Sequence, residues 1–140
     1  MKLKANSYNM PQEAYYNGHL HPTGQLLEEC AGWMRLLDFL KQENAYLKTR
    51  LSEVVDYKTG KDFLNEAEHF QSLFIQRDDF FNSVAGDVRQ QLAVLKSLRE
   101  KHIGPDEKTV QLQQRLRNEV RRLETDFTLL KNEFNQKLAQ

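Results

Sequence analysis

Glu66 and His69 stand three residues apart in the string Glu66-Ala67-Glu68-His69. On a helix that spacing puts a carboxylate and an imidazole on one side, the half-site that carboxylate-bridged di-metal bundles duplicate and complete with two further glutamates. This chain has one copy, and His69 adjoins Phe70 of an apolar seam instead of lying on the seam. His19 and His21 form a pair without a third ligand, short of what a metal centre needs. His102 precedes Gly104-Pro105, where a cation offsets the negative end of a helix dipole. Cys30 is the only cysteine, so an intrachain disulfide and a cysteine-built metal site are both closed. A nucleophilic cysteine needs a positioned base, and no histidine falls at the depth expected for Cys30. It reads as a small, reduced, packed side chain. No glycine-rich phosphate loop occurs. These residues predict a protein that is not an enzyme, with no catalytic residue, metal or cofactor.

The charge balance points the same way. Basic and acidic residues number 20 each, so nothing in the composition draws the chain to nucleic acid or to an anionic membrane. Arg115, Arg117, Arg121 and Arg122 cluster, but Glu119 and Glu124 dilute them, which reads as a solvated face with intrahelical ion pairs. No stretch of 18 apolar residues is present, and the expectation is that no segment integrates into a membrane. The first residues, MKLKANSYNM, lack the apolar core of a secretory signal. With the lone cysteine, this suggests a cytoplasmic location.

The elements are read from apolar spacing. Phe63, Ala67, Phe70, Phe74, Arg77, Phe81, Val84, Val88, Gln91, Leu95, Leu98 and His102 alternate four and three apart, keeping one helical stripe against a partner. Leu64, Leu73, Phe80, Leu92 and Val94 widen that stripe. A second seam runs Leu26, Cys30, Trp33, Leu37, Leu40, Asn44, Leu47, Leu51, Val54, and a narrower third runs Leu116, Val120, Leu123, Phe127, Leu130, Phe134. The string LLDFLKQENAYLKTRL resembles a leucine zipper, with one Asn among the leucines. No basic region precedes it, so the DNA-binding half of that class is missing.

Thr59-Gly60 and Gly104-Pro105 are the turns. Gly60 is expected to take a left-handed cap, Asp62 to cap the second helix, and Pro105 to open the third. The expectation is an all-α, elongated, antiparallel three-helix bundle or coiled coil with helices over 23–58, 62–102 and 105–138, behind a poorly ordered tail at 1–22. In that tail Tyr8, Tyr15, Tyr16 and Leu20 are candidates to dock on a helical groove. The wide-seamed middle helix belongs at the centre. Folding about the two short turns puts Trp33, Val88 and Val120 in one layer, and Leu40, Phe81 and Phe127 in another. Asn44 and Arg77 meet as a buried polar layer, and Cys30 meets Gln91. The arrangement is similar in architecture to the spectrin-type three-helix repeat. No motif assigns the chain to that family, and a shared architecture conveys no function.

Leu73, Phe80 and Val94 on the middle helix, with Leu36, Phe39 and Tyr46 on the first, form apolar stripes beside the seams. They are the candidate interaction face, since large exposed apolar patches mark contact sites. The functional expectation is a non-enzymatic scaffold, adaptor or oligomerisation module acting through protein–protein contact. Its protein partner is not specified by the sequence, and an isologous homodimer is the simplest cover for the stripes. The alternatives are a metal- or small-molecule-binding assembly formed on dimerisation and a peripheral membrane-binding protein. The seam assignment predicts that Leu95→Ala or Leu123→Ala lowers stability by about 2–5 kcal/mol. Glu124→Gln stays within about 0.5 kcal/mol. Urea titrations of the three variants check this, and equal losses for Leu123→Ala and Glu124→Gln would refute the third seam.

Overall fold

The computed structural model describes residues 15–16, 19–20, 22–57 and 60–139. Three helices make an all-α bundle: α1 (Pro22–Val55), α2 (Lys61–Glu100) and α3 (Glu107–Ala139). Ahead of them, a two-residue antiparallel ladder pairs β1 (Tyr15–Tyr16) with β2 (His19–Leu20). That short ladder lies within the poorly ordered tail expected at 1–22. Tyr8 and the rest of the first fourteen residues lie outside the described residues, as do Lys58 and Thr59 at the expected end of the first helix.

The core follows the seams. Phe70, Phe74, Phe81, Val88 and Leu95 of α2 are buried, with Leu37, Leu40, Leu47 and Leu51 of α1 and Leu116, Val120, Phe127, Leu130 and Phe134 of α3. Phe134 sets its ring edge-on to both Phe70 and Phe74, with centroids 5.2 Å apart in each case, and Phe81 meets Phe127 at 5.7 Å. These are the offset geometries that aromatic quadrupoles favour. They fix α2 and α3 antiparallel, with Phe81 opposite Phe127. Bonds from α1 to α2 start at Asn44, which reaches the Phe74 carbonyl at 2.8 Å. Glu29–Arg117 and Glu43–Lys131 ion pairs then place α1 and α3 parallel.

The helix ends differ from the sequence reading in three places. α1 stops at Val55, and Asp56 and Tyr57 form a turn, the Tyr57 N–H donating to the Val54 carbonyl at 3.0 Å. Gly60 is extended (φ −62, ψ 143) and precedes α2 directly, so it takes no left-handed cap. Asp62 sits inside the first turn of α2 as an acidic group near the positive dipole end. Pro105 precedes α3 instead of opening it. Asp106 is the cap, accepting a bond from the Thr109 N–H at 2.8 Å, and its hydrogen bonding with Thr109 holds its carboxyl below the usual carboxylate range.

The end of α2 closes with two crossed bonds. The Ile103 N–H donates to the Leu98 carbonyl at 2.9 Å and the His102 N–H to the Arg99 carbonyl at 3.0 Å. This is a Schellman closure, which needs a left-handed residue and usually has glycine there. Here the residue is His102 (φ 56), two positions before Gly104. Thr23 Oγ1 donates to the Ile103 carbonyl at 3.5 Å, tying the start of α1 to this connection. A left-handed non-glycine residue costs roughly 1–2 kcal/mol, partly offset in a glycine by greater unfolded-state freedom. His102→Gly is therefore expected to raise stability by about 0.5–1 kcal/mol in chemical denaturation. A destabilised His102→Gly variant would mean that the histidine side chain is needed at this end.

Candidate functional site

Two polar layers lie inside the bundle. Near its α1-start end, Gln113 of α3 reaches all three helices. Its Oε1 accepts from Gln91 Nε2 at 2.9 Å and from the Cys30 thiol at 3.5 Å. Its Nε2 donates to the Leu26 carbonyl at 3.2 Å and to Glu29 Oε1 at 2.9 Å. Gln91 Nε2 also donates to the Thr109 carbonyl at 3.0 Å. At the rim Arg117 grips Glu29 bidentately, with both contacts at 2.6 Å. The bond from Arg117 is the main reason the Glu29 carboxyl sits below its usual range. Burial pushes the Cys30 thiol up to about 11. A buried, protonated thiol donating to an amide oxygen is poorly suited to nucleophilic attack.

The sequence brought Cys30 and Gln91 to one depth but did not identify Gln113, Glu29 or Arg117. The available signal was Gln113 itself, three residues before Leu116 on the α3 stripe. A polar residue at an inward position calls for polar partners on the facing helices.

The second layer holds Asn44 and Arg77. Asn44 is fully buried, and its Nδ2 donates to the Phe74 carbonyl and to Asp78 Oδ1, at 2.8 and 2.7 Å. Lys48 pairs with the other Asp78 oxygen. Arg77 turns toward α3, 3.9 Å from Asp126, with its guanidinium 4.7 Å over the Phe80 ring. The two seam residues thus sit at similar depth but bond to different groups. One step along a helix rotates a side chain by about 100°, so Asp78 faces α1 and Arg77 faces α3. Asn44 Oδ1 and Glu119 Oε1 are buried without a hydrogen-bond partner among the described residues.

On the surface, the six residues of the candidate interaction face fall into three places. Leu36 is half-buried between Glu29 and Glu43, in the row of α1 that faces α3. Phe39 and Tyr46, 55% and 66% exposed, lie on the outer side of α1. Leu73, Phe80 and Val94 follow the flank of α2 toward α3, Leu73 half-buried and the other two 40% and 45% exposed. Leu73 and Arg77 line a groove of about 660 Å³ with Asp126, Leu129, Glu133 and Gln136 of α3. Leu129 is 63% exposed. It escaped notice because the narrow third stripe was drawn through its neighbour Leu130. A second groove, of about 560 Å³, runs between α1 and α2 past Leu51, Val55, Leu64, Ala67 and Ile75.

His69 is exposed, its ring 5.9 Å from that of Phe70. Among the described residues, no three His, Cys, Asp or Glu side chains are grouped so as to hold a metal ion, and no helix is long and apolar enough to cross a membrane. Compared with known protein families, curated proteins and solved structures, the chain matches none.

The Gln113 layer sets a pH dependence. Glu29 ionises more readily folded than unfolded, so its contribution is present above its ordinary value of 4.5 and is lost as pH falls through the lower folded value. Glu29→Gln is expected to flatten the acid side of the stability–pH curve and leave the alkaline side unchanged. Cys30 is expected to resist maleimide at mildly alkaline pH until the protein unfolds. Labelling as fast as that of a free thiol would contradict its burial.

Proposed function

We propose that this chain is a non-enzymatic helical module that works through protein–protein contact. The observation that carries the reading is the α2–α3 groove lined by Leu73, Arg77 and Leu129, with the Phe80 ring under the Arg77 guanidinium beside it, where Phe80 and Leu129 leave large apolar side chains in water. Full burial of each would contribute roughly 1.5–3 kcal/mol, and a mixed apolar surface with one arginine at its centre has the makeup of an interface core. The polar groups of the interior support the same reading, because their bonds run between helices and hold them in register. The buried free thiol of Cys30 suits a reducing compartment such as the cytoplasm.

A paired variant tests the reading. Phe80→Glu with Leu129→Glu changes exposed positions only, so its circular dichroism should match that of the parent chain. Self-association and crosslinked partners recovered with the parent chain are both expected to fall at least about tenfold, as loss of a hot-spot pair implies. Unchanged assembly and recovery by a folded variant would refute the groove as the contact surface.

A further inference from the structure

We propose that residues 1–14 of this chain lie along the outer α2–α3 face, with Leu3 on Leu129 and Phe80 and with Lys2 and Lys4 beside Glu133. A protein partner then reaches the groove only by displacing them. The docking stands on its own observations, and the displacement rests on the interaction reading above.

Reach selects the groove. The start of α1 sits on the α2–α3 connection, where Thr23 Oγ1 donates to the Ile103 carbonyl. Pairing of Tyr15 with Leu20 returns the chain to that end, so residue 14 departs from beside the entry to α1. The Glu29–Arg117 and Glu43–Lys131 pairs each join residues 88 apart, which sets Thr23 level with Gln111. At the helical rise Leu129 lies about 27 Å further along α3 and Glu133 about 33 Å. Crossing from α1 to the outer face adds one interaxial spacing, about 8–10 Å, for a path of roughly 35 Å to Glu133. The segment from residue 14 to Lys2 spans at most about 40–43 Å when extended, enough for that path with little to spare. The α1–α2 groove fits less well. Leu51 at its centre lies about 42 Å below Thr23, at the limit of the segment, and Lys48 stands in its lining.

Charge and apolar character agree with that path. Nearer the start of α1 the outer face is balanced, with Arg115 and Arg122 against Asp87 and Glu119, and residues 5–14 carry one charge, Glu13. Further along, the groove holds Arg77, Asp126 and Glu133. Arg77 contacts Asp126 at 3.9 Å, and Arg122 stands four residues before it. Glu133 makes no ion pair among the described residues, so the excess is one carboxylate at the far end. The two cations of the segment, Lys2 and Lys4, flank Leu3 at the end most distant from its tether. The same path brings Met10 to exposed Val94 and Leu3 to exposed Leu129 and Phe80. A short tether holds the segment at roughly millimolar effective concentration, which a second copy in micromolar solution does not match.

Disulfide trapping in the full chain tests the docking, and the buried Cys30 does not compete. Leu3→Cys with Leu129→Cys is expected to close within one chain on mild oxidation. It should close at least about tenfold faster than Leu3→Cys with Ile75→Cys, whose second position lines the α1–α2 groove at comparable depth. Adding Lys2→Glu and Lys4→Glu should slow the first closure to the rate of the second. In the chain without added cysteines, Lys2→Glu with Lys4→Glu is expected to raise recovery of crosslinked partners at least about threefold, as loss of a competing closed state does. Circular dichroism should be unchanged throughout. Equal closure at the two positions overturns the inference, and so does closure indifferent to the two lysines. A disulfide that links two copies also overturns it, by making the second copy the occupant. Selective closure with no rise in partner recovery overturns the displacement. If closure is not selective but Phe80→Glu with Leu129→Glu still loses its partners, the inference falls and the interaction reading stands. If closure is selective and that groove variant keeps its partners, the docking stands and the interaction reading falls.

Discussion

The phenylalanine stack on α2 is the constraint from which the rest of the bundle follows. Phe70, Phe74 and Phe81 spread across three turns of one helix, and no single neighbour covers a stripe that broad. α1 presents leucines and Asn44 to one side. α3 closes the other with Phe134 set between Phe70 and Phe74 and with Phe127 against Phe81. Rings of this size leave no room for slippage, because moving α3 by one turn would pull Phe134 out of its slot and leave a void that close-packed interiors do not tolerate. The aromatic end therefore determines the relative height of α2 and α3, and the connection at 101–106 has to meet that height. A left-handed His102 is consistent with this geometric demand: the chain must turn sharply to reach Asp106, and histidine is one of the few side chains that enters that region readily.

The polar layers add specificity to what the apolar surface holds together. A hydrogen bond nets only about 0.5–1.5 kcal/mol on folding, while a buried group left unpaired costs about 1–3 kcal/mol. Gln113 gains little by being buried with Gln91, Glu29 and the Leu26 carbonyl. It would lose much if α3 were displaced along α1. Asn44, held by the Phe74 carbonyl and Asp78, plays the same part between α1 and α2. One layer stands toward each end of the bundle, so both ends are locked in register while the middle is left to Phe81, Val88, Val120 and Phe127. The single asparagine within the α1 leucine seam thus selects an alignment inside one chain, the role such residues have in coiled coils between chains.

The seams, the three helices and their antiparallel order were legible in the sequence because apolar periodicity is a signal spread over dozens of residues. The depth of Asn44 was legible too, but its bonding to Asp78 was not. Depth follows from counting along the helices, whereas the choice between positions 77 and 78 depends on a rotation that a strip of letters leaves open. The ends were misread for a related reason. Gly60 and Pro105 are strong punctuation, yet the roles of cap and left-handed residue went to neighbours, with Gly60 extended, Asp106 capping and His102 turning. At a helix end several residues within one turn compete for each role, and tertiary height decides among them. The candidate interaction face was read as one set of six because all six stand beside a seam. It divides because α3 settles between the flank carrying Leu36 and the flank carrying Leu73 and Phe80, so those flanks look out on different sides.

That division also sorts the charges of α3 by what they do. On the α1-facing flank, Arg117 and Lys131 meet Glu29 and Glu43, and their order along the helix is set by those partners. On the α2-facing flank, Arg115 and Arg122 stand four residues before Glu119 and Asp126, the spacing at which opposite charges support a helix from within. The first set positions α3 against a neighbour and the second serves α3 itself. Leu129, 63% exposed beside that second set, belongs to neither, so it is the kind of side chain on this flank that the folding of the three helices does not use.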